Sequence, residues 1–206
     1  MKKTKKILAL ALATVMLVSA TVAVTVAYLT SQDTVTNTFT VGKVKITLDE
    51  ADVDDSDKDQ NTTERDKANE YKVFPGGTYD KDPIVHVDDS SEDCYVFVKV
   101  VNSLGVYEAA VENLGNIEKQ MSDNGWTEVT GKDGVWLYNG EFAEDKVVSK
   151  GEDLPVFTKF AIANNIENDN DLASKSIVVT AYAIQADGFD VDNAEDLSTM
   201  LKELGL

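Results

Sequence analysis

Residues 94–101 and 177–184 are apolar on both alternations, and this doubled pattern narrows the possible folds more than any other feature of the chain. A short run of that kind, rich in Val, Ile and aromatics, suits a strand whose two faces are both covered, so each stretch is expected to be a central strand. Other segments of strand character lie at 35–48, 71–74, 79–87, 126–130, 134–138, 145–149 and 155–163, divided by turn residues. Helical spacing is confined to 106–121 and to 193–204, where Leu197, Met200, Leu201 and Leu204 recur on one face. Many strands with few helices predict an all-β chain, a jelly-roll-like β-sandwich with one or two short helices.

The first thirty residues point to export. Lys2, Lys3, Lys5 and Lys6 precede an apolar run over 7–29 that is broken only by Ser and Thr. Lysines hold such a terminus on the cytoplasmic side while the apolar run enters the membrane, and Thr25-Val26-Ala27 presents small residues to a signal peptidase. Cleavage is expected between Ala27 and Tyr28, and a retained anchor is the competing reading. The chain then divides into a signal over 1–27, an arm over 28–42 and a body over 43–206, with an acidic loop at 49–70. No Asp or Glu precedes residue 28, so the mature chain keeps 15 of the 19 basic residues and all 37 acidic ones, a net charge near −22. That surface repels nucleic acid and anionic lipid, which leaves the uncleaved signal as the membrane contact. With Cys94 the only cysteine, no intramolecular disulfide can form, and its apolar neighbours place it in the core rather than at a reactive site.

The segment 35–48 changes phase. Val35, Asn37, Phe39 and Val41 share one parity, Val44, Ile46 and Leu48 take the other, and Gly42 stands where the two meet. A period-2 strand cannot switch faces without a bulge, a bend or a second partner. Either 35–48 is one bulged strand, or Val35, Phe39 and Val41 belong to an arm hinged at Gly42. The stretch that follows, 49–66, is nearly devoid of apolar residues and reads as a solvated loop. Asp55, Asp57, Asp59 and Asp66 have the spacing of calcium ligands, but Gln60 stands where an EF-hand needs Gly and the flanks are not helical. A weak divalent-cation site is the alternative to a plain loop, and no cofactor is implied.

Catalytic patterns are scarce. The single histidine, His86, excludes an H-E-x-x-H zinc site, and no phosphate-binding or dinucleotide glycine motif occurs. His86 is expected on a strand, facing solvent. Trp126 and Trp136, joined through the Gly131-Lys132-Asp133-Gly134 turn, suit either a carbohydrate-stacking patch or, more simply, core packing.

Several motifs in order carry a resemblance. A long Ala/Val/Thr-rich signal ending in Ala-Tyr-Leu-Thr is followed by Thr36-Asn37-Thr38-Phe39-Thr40-Val41-Gly42-Lys43-Val44-Lys45-Ile46. Further on come Val73-Phe74-Pro75-Gly76-Gly77-Thr78-Tyr79, the strand from Cys94 to Val100, and Ala181-Tyr182-Ala183-Ile184-Gln185-Ala186. This arrangement resembles the TasA/camelysin family of secreted Gram-positive proteins, processed by the signal peptidase SipW. The resemblance implies a jelly-roll-like sandwich and, for the TasA branch, a subunit of extracellular biofilm fibres that self-assembles when the mature N-terminal segment enters a neighbour's sheet as a donor strand. The camelysin branch implies a metal-dependent peptidase instead, from which the lone histidine departs. A monomeric surface or adhesive protein is the third reading.

Overall fold

The computed structural model describes residues 43–53, 65–166 and 172–206. Thirteen strands and two α-helices are formed among them, so the all-β expectation holds. All strand pairings are antiparallel.

A four-stranded sheet is built from β1 (Ile46–Ala51), β2 (Arg65–Asp66), β4 (Ile84–Val87) and β11 (Asp153–Pro155), in the order β11-β4-β1-β2. A second, six-stranded sheet centres on β5 (Cys94–Asn102). One edge of β5 pairs along its whole length with β13 (Ile177–Gln185). The other edge is shared by β8 (Val135–Tyr138), which carries β7 (Trp126–Glu128), and by β10 (Val147–Val148), which carries β9 (Ala143–Glu144). A small third sheet has the order β3 (Thr78–Asp80), β12 (Lys159–Ile162), β6 (Glu108–Ala109).

Alternation along the strands sorts side chains into two cores. Val96 and Val98 of β5 join Val85 and Val87 of β4, Leu154 of β11, Trp136 and Tyr138 of β8, and Phe160 and Ile162 of β12 in the larger one. Tyr95 and Phe97, at the opposite parity of β5, face a second core with Val135 and Leu137, which α2 (Ala194–Leu204) covers with Met200 and Leu201. Burying a side chain of this size contributes roughly 1.5–3 kcal/mol, so the two cores account for much of the driving force.

Three expectations need correction. The helix expected over 106–121 is instead a 3-10 turn at Gly105–Tyr107, strand β6, a turn, and then α1 (Ile117–Asp123). Left-handed backbone at Asn113 (φ 64°) and Gly115 (φ 82°) interrupts the apolar spacing, and Asn116 restarts the helix by accepting a hydrogen bond from the Lys119 amide. Among the described residues the second stretch, 177–184, is not central: β13 pairs with β5 alone, and Val178 is 49% exposed. The acidic loop expected over 49–70 is partly sheet, because β1 runs on to Ala51 and Arg65–Asp66 pairs with it as β2.

Two expected strands also divide. Each of 79–87 and 155–163 passes from one sheet to another, β3 to β4 across Pro83 and β11 to β12 across Val156-Phe157-Thr158. Residues 71–74 form no ladder among the described residues, yet Tyr71 and Val73 are half-buried against the larger core.

Candidate functional site

The start of the described body is fixed by hydrogen bonds at Lys43 and Lys45. The Lys45 amide donates to Ser91 Oγ at 3.1 Å, Asp88 N–H donates to the Lys45 carbonyl, and Glu92 N–H donates to the Lys43 carbonyl. Ser91 is buried and its hydroxyl donates a hydrogen bond to the Glu92 carbonyl. Lys45 Nζ reaches Asp88, whose carboxyl is held well below the usual range by that ammonium and by Ser90. From this anchor Val44, Ile46 and Leu48 turn inward on one parity and pack on the larger core, as the second half of the phase change predicts.

A groove of about 1220 Å³ is lined by β1 from Ile46 to Glu50, by residues 66–73, and by 172–181, which include the first half of β13. Its apolar lining includes Ile46, Leu48, Phe160, Ile177 and Val179. Among the described residues, two of the strands that line it have unpaired edges: β1 carries a neighbour on its outer side only at Glu50–Ala51, and β13 pairs with no strand but β5. β13 has neither proline nor charge in Ile-Val-Val-Thr-Ala-Tyr-Ala-Ile-Gln, so nothing in its sequence discourages another strand from adding to it. Small-molecule pockets span about 300–1,000 Å³; the groove is larger and is shaped by strand edges, which suits an extended peptide.

Polar groups frame the groove. Glu50, buried on β1, is paired with Lys81 Nζ at 2.5 Å, and Lys81 lies 5.8 Å from the Tyr71 ring centroid. Tyr71 meets Phe160 edge-on, and Phe160 stacks on Tyr79. Lys67, Lys72, Lys81 and Lys175 line the same space together with Asp49, Glu50, Asp66 and Glu70, so its charges balance in a chain with 37 acidic residues.

His86 stands on the face of the four-stranded sheet opposite the core, half-buried rather than freely exposed. Asp153 approaches its Nδ1 at 2.5 Å and Asp49 its Nε2 at 3.0 Å. With both ring nitrogens engaged by carboxylates, His86 would have to surrender one of them to ligate a metal or take a proton from a nucleophile. Among the described residues no group of three or more His, Cys, Asp or Glu side chains is arranged to hold a metal. Nor is any described helix long and apolar enough to cross a membrane.

The aromatic patch is not at the surface. Trp126 and Trp136 are 1% and 7% exposed, and the Trp126 indole N–H donates to the Pro155 carbonyl at 2.8 Å. Both are core residues, and the carbohydrate-stacking alternative is overturned. Cys94 is fully buried, and burial with the nearby Asp93 charge pushes its thiol up to about 11, so it is an inert core residue.

The cleavage pair Ala27 and Tyr28, the arm residues Val35, Phe39 and Val41, and Gly42 lie outside the described residues, as do Asp55, Asp57 and Asp59 of the calcium-like spacing. Asp66 is on β2 and exposed. The groove itself was not foreseen; its signals are the long uncharged β13 and the mixed apolar and basic stretch 67–73, neither of which reveals in sequence that they meet. Arg65, Asp49 and Asp153 also gave no motif, because their partners are far away along the chain.

Comparisons with family models, with curated proteins and with solved structures returned no match to this chain.

Proposed function

We propose that this chain is a secreted structural subunit of extracellular biofilm-matrix fibres at the surface of a Gram-positive bacterium, built on a jelly-roll-like β-sandwich. In this reading export removes residues 1–27, and the arm over 28–41 of one copy enters the groove of the next as a donor strand. The observation that carries it is the groove lined by β1 and β13, whose edges there are unpaired among the described residues. Fourteen residues reach up to about 46 Å when extended, ample for a groove lined by five residues of β1. Main-chain bonds to an open edge would supply affinity, and Val35, Phe39 and Val41 on one parity would supply register against the apolar lining.

Charge supports the same pairing. The arm Tyr-Leu-Thr-Ser-Gln-Asp-Thr-Val-Thr-Asn-Thr-Phe-Thr-Val carries only Asp33, so it can approach a groove whose lysines and carboxylates balance, where two whole bodies would repel. Insertion of one copy's arm into the next is a heterologous contact that does not close, and it yields filaments. The reading is of a structural protein rather than an enzyme, and the double carboxylate engagement of His86 favours that choice over a peptidase.

Negative-stain microscopy of protein beginning at Tyr28, beside protein lacking 28–41, tests this. Filaments are expected only from the longer form, with Phe39→Asp behaving like the deletion while the body stays folded. Monodisperse particles from both forms would favour a monomeric surface protein instead.

A further inference from the structure

On the solvent side of the four-stranded sheet, each strand contributes one ionisable side chain to a single line. Asp153 comes from β11, His86 from β4, Asp49 from β1 and Arg65 from β2. The links are the two carboxylate contacts at the ring nitrogens of His86, an Arg65 Nε bond to the same Asp49 oxygen, and Arg65 bonds to Asp82 Oδ2 at 3.1 Å and to the Asp82 carbonyl at 3.0 Å. Asp153 lies directly opposite His86 in the β11–β4 register, and Asp49 lies two positions from Thr47, the residue opposite His86 on β1. The signs alternate across the sheet only when the imidazole is charged.

A neutral imidazole has one N–H and one lone pair. Facing a carboxylate at each nitrogen, it can donate to one and must oppose the other, whereas imidazolium donates to both. We propose that Asp153, His86, Asp49 and Arg65 form a proton-operated clasp that ties β11, β4, β1 and β2 together when His86 is protonated and releases the β11 edge when it is not. The release falls at β11 because Asp49 keeps Arg65 as a partner, while the Asp153 side chain is 68% exposed and returns readily to water. β11 is the outermost strand of this sheet, so it depends on β4 for its pairing.

The direction of titration agrees with the geometry. Burial pushes His86 toward its neutral form, but the bonds and charges of Asp153 and Asp49 outweigh burial, and the imidazole is held above its ordinary value. Burial raises Asp49 as well, and Arg65 and His86 more than offset it, so this carboxylate stays ionised throughout. A group whose pKa is raised on folding stabilises the fold fully below its unfolded value, about 6.5 for histidine, and that stabilisation fades as pH rises through the folded value. The clasp is therefore closed in mild acid and open in mild alkali. Its working does not depend on fibre formation.

Because His86 is the sole histidine, its ring protons titrate as an isolated NMR signal in the soluble fraction of the exported protein. The expected midpoint lies above about 6.5 and falls toward that value in Asp153→Asn and in Asp49→Asn. Urea unfolding followed by the buried tryptophans gives a second readout: the wild-type midpoint should be lower at about pH 8.5 than at about pH 5.5, a window that brackets histidine titration, and His86→Gln should remove most of that difference. A midpoint at or below the ordinary value, or one unmoved by Asp153→Asn, would overturn the clasp. So would an equal pH response in wild type and His86→Gln. Asp153 is exposed on an edge strand, so the titration of its variant remains informative even if His86→Gln folds poorly.

Discussion

Gln120 shows how much of this fold rests on single polar side chains in apolar surroundings. It is 4% exposed on α1, and its Oε1 accepts from the Thr158 and Lys159 amides while its Nε2 donates to the Lys159 carbonyl at 2.8 Å. Thr158 lies in the crossing from β11 to β12, and Lys159 opens β12. A buried group stripped of its partner costs about 1–3 kcal/mol, so Gln120→Leu, similar in shape but unable to bond, is expected to lower stability by about 2–4 kcal/mol, summed over the stranded groups. Urea unfolding checks this, and a change below about 0.5 kcal/mol, the size of an ordinary surface substitution, would mean the crossing is held by other contacts. Nothing in the sequence singles out Gln120, because its partners lie 38 and 39 residues away. The burial of Cys94 was legible for the opposite reason: its environment is set by its immediate neighbours along β5.

Among the elements, α2 is the one whose sequence states both its limits and its face. Asn193 accepts from the Glu195 and Asp196 amides at the start, Gly205 takes the left-handed conformation at the end (φ 76°), and Leu206 N–H closes back on the Leu201 carbonyl. Met200 and Leu201 fill the second core, with Leu197 and Leu204 beside them. Met200→Ala is expected to cost about 2–5 kcal/mol and Asn193→Ala about 1 kcal/mol. Thermal unfolding followed by circular dichroism should rank them in that order, and the reverse order would mean that the cap rather than the packed face holds the helix down. The misread elements share a physical cause. β13 is apolar on both parities because the larger core covers one face and Tyr182 and Ile184 meet α2's core on the other, and coverage of two faces does not reveal how many edges are paired. The strands expected over 79–87 and 155–163 keep one continuous pattern while their halves serve different sheets, since an apolar alternation records that a residue points inward but not toward which layer. The phase change at Gly42 is legible, but residues 35–42 lie outside the described ones, and a change of phase alone does not say where they go.

At the scale of the whole molecule, charge is the dominant opponent of the proposed assembly. A chain without residues 1–27 would carry a net charge near −22, and repulsion between such chains would have to be overcome before any arm could reach a groove. Screening shortens its range, from about 30 Å at 0.01 M salt to about 10 Å at 0.1 M. In the proposed assembly the contact would be short-ranged and largely apolar, Phe39, Val35 and Val41 of the arm meeting a lining that includes Ile177 and Val179, so salt should not weaken it in proportion. Filament growth from protein beginning at Tyr28 is therefore expected to accelerate as sodium chloride rises across that interval and to level off once bodies no longer sense one another. Light scattering would follow it, with pelleting to measure the assembled fraction. Growth that slows with added salt would instead place the driving force in attraction between the groove lysines and acidic groups of the incoming copy. Phe39→Asp separates the two cases: an apolar contact is lost at every salt concentration, whereas an attraction to lysines would be strengthened by the added carboxylate and would bring filaments back at low salt.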